Sequence, residues 1–533
     1  MPEDIRTADW DVIVIGTGIG GGMAARRLSE LGLSVLMLEK GADLGDTPSG
    51  LPMNSANSPE ERLSAGAWPQ PITAELDGTS FPLDGMIGAA VGGTSLYYAA
   101  TLERPERHDI DHSNERPHPT GGWPVSHKEL APYFAMAEKY FHISGETDPL
   151  DPEAAPLPYP PRALSQTDQN IIDGLRREGL HPYQTHMAAR FIPGCEGCFG
   201  RRCPKRCKMD GRSAGVLPAI ESGRATVLDR CTVTAIEAGD SVTAIRCERD
   251  GEEFTLTARA YVLAGGGLGT PALLLRSRSE HWPEGLGNRS DLVGRNLMFH
   301  LSEIIALWPG KGNKGDTAES RSISLRDVYY AQGTRFGLIQ SMGLNAGYGE
   351  VLYAMQGRFD RSALRRLRPL RHGLRIPARM AAKLLGPAKL FVGVLEDLPY
   401  AENRLLPESS LTDKLHFRYA ISEELTQRRL AFRKAMRESF RGSRTMFMGN
   451  TPQLNFAHPC GTARFGDDPR TSVLDRDCKL HGVDNLYVAD SSFMPTSNGV
   501  NPSLTIAANA LRVAERLAED LRPRLAAAVG LGY

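Results

Sequence analysis

The chain has 533 residues, 41% of them hydrophobic and 23% charged, with a formal net charge of −1. That length exceeds the reach of one hydrophobic core, roughly 250–300 residues, so two or more domains are expected in an ordinary soluble globular protein. The near-zero charge argues against bulk nucleic-acid binding, no run of about 18 apolar residues predicts a spanning helix, and the polar start MPEDIRTADW leaves no room for a signal peptide, which makes the reducing cytoplasm the expected compartment.

The stretch DVIVIGTGIGGGMAARRLSELGLSVLMLEKG reads as one strand–helix–strand unit. Asp11–Ile15 is a short apolar strand. Met23, Ala24, Leu28 and Leu31 share one helical face, and Ser34–Leu38 is a second strand that ends at Glu39. Gly16, Gly18 and Gly21 form G-x-G-x-x-G: the first allows a tight turn, the second lets backbone approach a pyrophosphate, and the third lets helix pack on strand. The helix N-terminus adds free N–H groups and a positive dipole end. Glu39 stands where an acid accepts hydrogen bonds from a ribose diol. This is a dinucleotide-binding unit.

Four of the eight cysteines, Cys195, Cys198, Cys203 and Cys207, follow in GCEGCFGRRCPKRCK, spaced C-x2-C-x4-C-x3-C. A reducing compartment disfavours disulfides. The spacing departs from the bacterial ferredoxin run in its four-residue gap and in Pro204 after the third cysteine. It fits tetrahedral zinc loosely. An iron–sulfur cluster, a zinc ion and a metal-free loop therefore stay open. Cys231, Cys247, Cys460 and Cys478 are isolated and are expected to be buried thiols.

Residues 320–450 lack strand–helix–strand periodicity and contain alternating stretches such as Lys414–Ile421, which suit half-buried strands. Within them, Arg361–Lys389 holds nine Lys or Arg and no acid. Leu364, Leu367, Leu374, Ile376, Met380, Leu384 and Leu385 could make an apolar face there. The segment is either a patch that docks on anionic lipid or a solvated basic loop.

The chain closes on DNLYVADSSFMPTSNGVNPSLTIAANALRVAERLAEDL. It reads as a strand at Leu486–Ala489, then Asp490, a loop, and a long helix from near Ser503. A second strand–acid–helix unit would clamp the dinucleotide from the other end of the chain. A tightly held FAD needs that clamp; an exchangeable nicotinamide does not.

With these landmarks in order, nearly the whole chain resembles the glucose–methanol–choline (GMC) oxidoreductase family of FAD enzymes. The further motifs that carry the resemblance are VGGTSLYYAATLERP (Val91–Pro105), GWPVSHKELAPYFAMAEKYFHISG (Gly122–Gly145), AYVLAGGGLGTPALLL (Ala260–Leu275), LVGRNLMFH (Leu292–His300) and HPCGTARFGDDPRTSVLD (His458–Asp475). The resemblance implies an α/β fold, α+β overall. A Rossmann-like FAD-binding domain would be built from residues 1–105, 211–295 and 451–533. A substrate domain of antiparallel sheet with helices would take 106–210 and 296–450.

It implies alcohol oxidation, with a hydride passing to flavin N5 and a proton to His458, and with Asn501 as the second polar residue. An ordinary imidazole is largely neutral at pH 7 and can accept that proton, and Asn can bond the substrate oxygen without competing for it. Gly92, Gly93 and Thr94 would let backbone approach the flavin, and Val233 and Asp490 complete the cofactor contacts. Pro502 would open the last helix, whose positive end suits the N1–C2=O edge of a reduced flavin. Where some relatives attach FAD through a His, this chain has Tyr97, so non-covalent FAD is expected. The electron acceptor would be oxygen, a quinone or a redox protein. The substrate would be a sugar, glycoside or polyol, or a bulky aryl or aliphatic alcohol. A lyase or light-driven decarboxylase of the same family is the alternative.

Overall fold

The computed structural model describes residues 3–46, 58–83, 87–308, 320–343, 347–406 and 414–528. Five short apolar strands form a parallel sheet in the order Leu486–Val488, Ala258–Leu263, Trp10–Ile15, Val35–Leu38, Ala225–Leu228. They come from the start, the middle and the end of the chain. Val12, Ile13, Val14, Leu36, Met37 and Val262 are fully buried, as strands covered on both faces must be. Three of the strands lead into helices: Trp10–Ile15 into Ile19–Glu30, Ala258–Leu263 into Gly266–Arg276, and Leu486–Val488 by a longer loop into Ser503–Ala528. The last helix packs on Ile19–Glu30 and on His127–Tyr140. Its residues Leu504, Ala507, Ala508, Leu511 and Ala514 are buried at helical spacing.

A second sheet is antiparallel. Its order is Ser324–Leu325, Ile339–Ser341, Lys389–Leu395, Met298–Trp308, Arg444–Phe447, with Leu454–Cys460 also paired to Met298–Trp308. The Glu423–Ser439 helix lies against it. Leu425, Phe432 and Met436 share one core with Leu301, Ile305 and Phe391. The fold is thus α/β with an antiparallel, helix-covered second layer.

The Lys414–Ile421 stretch does form a strand, His416–Tyr419, with Phe417 and Tyr419 buried and Arg418 exposed. Its partner lies elsewhere than expected: it pairs parallel to Ile72–Leu76, in a four-stranded sheet with Thr79–Leu83 and Arg404–Leu405. Leu454–Cys460 likewise pairs with Met298–Trp308. Both pairings cross the divisions expected at residues 105 and 450, because backbone donors and acceptors are satisfied by the nearest free sheet edge, whatever the chain order.

Candidate active site

A cavity of about 730 Å³ runs from the C-terminal edge of the parallel sheet to the face of the antiparallel one. That is the place where open α/β sheets bind ligands, and the volume is towards the upper end of small-molecule sites, roughly 300–1,000 Å³. At one end it is lined by Gly16, Gly18, Glu39, Gly93, Thr94, Val233 and Asp490, and at the other by Ser302, Arg321, Gln340, Asn455, His458 and Asn501, with Pro502 between them.

The first end fits a dinucleotide. Gly16 has a left-handed φ of 101°, which only glycine adopts freely. A Cβ on Gly21 would stand 1.9 Å from the Gly16 carbonyl oxygen, so Gly21 is needed for helix to pack on strand and does not line the cavity. A Cβ on Gly18 would meet nothing within 4 Å, which leaves open space over the N-terminus of Ile19–Glu30 for a pyrophosphate. Glu39 is held in place by Thr17 N (3.0 Å), Thr17 Oγ1 (2.6 Å) and Gly41 N (3.2 Å), and burial pushes its carboxyl above the usual range. Gly92 stays outside the cavity, where its N–H donates to Thr17 Oγ1 at 3.1 Å. Asp490 lines the cavity, yet both its oxygens accept protein donors: Gly266 N (2.8 Å) and Thr270 Oγ1 on one, Ser492 N (2.9 Å) and Oγ (2.6 Å) on the other. It joins the Gly266–Arg276 helix to the loop after Leu486–Val488. Pro502 sits just before the Ser503–Ala528 helix, and its carbonyl accepts from Ile506 N at 3.0 Å. Tyr97 also lines the cavity and donates to the Ala65 carbonyl at 2.6 Å.

At the other end a hydrogen-bond chain sets the protonation of His458. The Asn498 carbonyl can only accept, so His300 Nε2, 3.0 Å away, donates. Burial holds His300 down to about 4, so it is neutral and its Nδ1 is a lone pair. His458 Nδ1 lies 3.1 Å from that lone pair and must donate to it. The unprotonated nitrogen of His458 is therefore Nε2. Asn455 Nδ2 lies 3.2 Å and 3.4 Å from the two ring nitrogens, nearly equidistant, so it stands against the ring and off the axis of the Nε2 lone pair. Burial, then His300, then the Arg321 charge hold His458 well below the usual imidazole range. The imidazole is thus a standing proton acceptor. Asn501 faces Gln340, with Nδ2 donating to Gln340 Oε1 at 3.1 Å.

The structure brings His458 and Asn501 to one end of a shared cavity. It adds His300, Asn455, Gln340 and Arg321, to which the sequence reading gave no role. His300 closes the LVGRNLMFH landmark, and alternation along Met298–Trp308 puts it on one face with the cavity residues Ser302 and Ile304.

An iron–sulfur cluster, a zinc ion and a metal-free loop are all open for the cysteine set, and the distances between its sulfurs bear on them. The Cys203 and Cys207 sulfurs are 3.2 Å apart, and Cys207 and Cys195 are 3.5 Å apart. Four thiolates around one zinc at 2.3 Å stand about 3.8 Å from one another, so both of these contacts are closer than a tetrahedral zinc would set them. No group of three or more His, Cys, Asp or Glu among the described residues could hold a metal, and all eight cysteines are free thiols. Instead, the segment is fixed by Lys208. Only 2% exposed, Lys208 donates to the carbonyls of Leu96 (2.7 Å) and Arg201 (2.6 Å). That pins the segment to the Gly93–Tyr97 turn, and its Gly200 lines the cavity. Cys460 is fully buried against Met298.

Two family models described as GMC oxidoreductase match residues 82–302 and 366–510, and one for an NAD(P)-binding Rossmann-like domain matches residues 14–52. Paromamine 6'-oxidase of Streptomyces fradiae is 30% identical over 98% of this chain and 94% of its own. The fructose dehydrogenase large subunit of Gluconobacter japonicus is 27% identical over 97% and 99%. The structure of pyridoxine 4-oxidase from Mesorbium loti superposes with a TM-score of 0.61 at 20% identity, covering 96% of this chain and 99% of that one.

Proposed function

The chain belongs to the GMC oxidoreductase family of FAD-dependent alcohol oxidoreductases, and on that premise we propose that His458 is the base that takes the hydroxyl proton of a polyhydroxylated alcohol. FAD, when bound, supplies the two-electron acceptor; residues 16–20, Glu39, Thr94 and Val233 would hold it. The observation that carries the reading is the chain Asn498–His300–His458, which leaves the lone pair of Nε2 in the cavity. Asn501, kept in orientation by Gln340, holds the substrate oxygen opposite that nitrogen. The hydroxyl proton moves to Nε2, and the alcohol becomes a carbonyl compound. The first turn of Ser503–Ala528 keeps positive dipole at the same place. Ser302, Gln340, Gln453 and Asn455 line this end, and so many amide and hydroxyl groups suit a sugar or polyol better than an aliphatic chain. The test is an anaerobic screen of sugars, glycosides, and aliphatic and aryl alcohols for bleaching of the flavin band, followed by reoxidation with oxygen, a quinone or a dye. Persistent colour with every alcohol would sink the reading.

We also propose that the basic segment docks on an anionic bilayer. The Arg375–Leu385 helix packs Ala378 and Leu385 inward, against a core with Val351 and Leu390. Its outer side carries two stripes at helical spacing: Ile376 (72% exposed), Met380 (70%) and Leu384, beside Arg375, Arg379 and Lys383. Leu364, Leu367 and Leu370 are exposed just before it. An apolar stripe flanked by cations fits the lipid headgroup boundary. Met342 packs on the inner side of this module and also lines the cavity, so docking would bring a membrane acceptor close to the site. No helix among the described residues is long and apolar enough to cross a membrane. The protein should co-sediment with phosphatidylglycerol vesicles and lose that binding in high salt. An Ile376→Ser/Met380→Ser variant should release them. Equal binding to phosphatidylcholine vesicles, or none to anionic ones, would overturn the proposal.

A further inference from the structure

We infer that Arg321 is an anion subsite in the substrate end of the cavity, and that the preferred alcohol carries a carboxylate or a comparable acidic group. The inference rests on the reading of this site as one that oxidises alcohols, and names the class of alcohol it takes.

Arg321 follows the buried Ser320 and lines the cavity beside Gln340 and His458. Its Nε is buried with no hydrogen-bond partner. Its Nη1 makes one long contact, 3.4 Å, to Thr101 Oγ1. No carboxylate among the described residues forms an ion pair with it. The other deeply buried arginines of this layer are paired: Arg326 with Glu103, Arg335 with Asp109 and Glu396, Arg429 with Glu303. Asp168, which bonds both flanking serines, is matched by Lys389 at 2.5 Å. The two carboxylates that line the cavity, Glu39 and Asp490, lie at the dinucleotide end and accept protein donors.

A buried guanidinium with no counter-charge is costly to keep. Burial alone pushes Arg321 down to about 10, so it is still a cation at neutral pH. With Nε unpaired and Nη1 held only by the long Thr101 contact, the guanidinium keeps donors of the kind that meet a carboxylate through two parallel N–H···O bonds. An ammonium group in the same place would face like charge. A bound anion has a second effect. The Arg321 charge is one of the three causes that depress His458, so compensating it raises the proton affinity of the base when the acidic substrate is seated.

The test titrates the FAD-loaded protein by calorimetry with propionate and benzoate, and with the matching amides. Neither set carries an oxidisable hydroxyl. The carboxylates should bind at least tenfold tighter than the amides, a difference of about 1.4 kcal/mol. Arg321→Gln should erase that preference, and Arg321→Lys should keep part of it, both at unchanged flavin content and melting temperature. In a second arm, hydroxycarboxylates, diols and amino alcohols of equal length reduce the flavin without oxygen, and the expected order of efficiency is acid, then neutral, then amine. Equal binding of acid and amide, or a preference that survives Arg321→Gln, would overturn the subsite. Arg321-dependent binding of carboxylates with no bleaching by any alcohol would instead sink the oxidation reading and leave the subsite standing.

Discussion

Nδ1 of His458 lies 3.1 Å from Nδ1 of His300, with the two rings at 88° to each other. The contact works only if one nitrogen donates and the other accepts, and the Asn498 carbonyl decides which. His300 is thus a positioning residue that fixes the tautomer of the base. His458→Ala should lower the limiting rate of anaerobic flavin reduction by about 10²–10⁴-fold, the usual worth of a positioned base. His300→Leu removes the acceptor and frees the wrong tautomer, with a loss on the order of 10²-fold. His300→Gln offers a carbonyl oxygen to the same N–H and should restore much of it. The loss should fall on the limiting rate and not on substrate affinity. A His300→Leu enzyme as fast as wild type would refute the assignment.

The pH dependence follows from the same pair. A proton taken up at Nε2 of His458 stops catalysis, so activity is lost as pH falls through its true pKa. Burial, His300 and Arg321 all hold that pKa below the ordinary value. The reduction rate should stay flat from about pH 8 to about pH 6, where an ordinary imidazole of pKa about 6.5 would already titrate. An acid limb centred near that ordinary value would contradict this. Stability runs on its own window. Above the unfolded pKa, His300 is neutral in both states and contributes no pH dependence. As pH falls from there towards about 4, the unfolded chain binds a proton that folded His300 excludes, and stability is lost by on the order of 3 kcal/mol. Urea denaturation at about pH 7 and about pH 5 should show a smaller difference in His300→Gln than in wild type.

The dinucleotide end was legible in the sequence because its parts are contiguous. Strand, turn, helix and acid lie within Trp10–Glu39, so spacing alone locates Gly16, Gly21 and Glu39. His458 and Asn501 became visible only through family resemblance, since nothing in their local pattern separates a base from a packing histidine. His300 was hidden for another reason: it reaches His458 across a sheet pairing, between residues 158 positions apart. Arg321 stands in a segment without periodicity, and its lack of a counter-charge is a property of the folded cavity. For the cysteines, spacing lists possible ligands but does not set the distance between sulfurs.

Two glycines of one motif should fail differently. Gly21→Ala places a Cβ 1.9 Å from the Gly16 carbonyl oxygen and 3.1 Å from Ala264 Cβ. Helix and strand must separate, at about 1–3 kcal/mol, so the melting temperature falls with or without flavin. Gly18→Ala meets no protein atom within 4 Å, and Gly18 has an ordinary negative φ of −62°. It should fold normally, while its methyl occupies the space kept for the pyrophosphate. Flavin content after purification should therefore drop, with the melting temperature of the apoprotein unchanged. If Gly18→Ala retains full flavin, the pyrophosphate does not lie over that turn.

The segment around the cysteines is expected to matter through Lys208 and not through metal. Its ammonium is bonded to the carbonyls of Leu96 and Arg201, on either side of the contact between this segment and the flavin wall. Lys208→Met keeps the apolar stem but leaves those buried carbonyls without donors, at about 1–3 kcal/mol for an unsatisfied group. Because Leu96 belongs to the Gly93–Tyr97 turn, flavin should also be lost faster on dialysis. Replacing Cys195, Cys198, Cys203 and Cys207 with serine makes the contrasting variant. The Cys203–Cys207 and Cys207–Cys195 sulfurs stand at 3.2 Å and 3.5 Å, closer than a tetrahedral zinc sets its ligands, so the four-serine protein should be reduced by alcohol and reoxidised by a quinone at rates close to wild type. Iron and acid-labile sulfide, assayed in freshly purified wild type, should not rise with flavin content. Stoichiometric iron, together with slow reoxidation of the four-serine variant, would mean that these cysteines rearrange around a cluster and carry electrons out of the flavin.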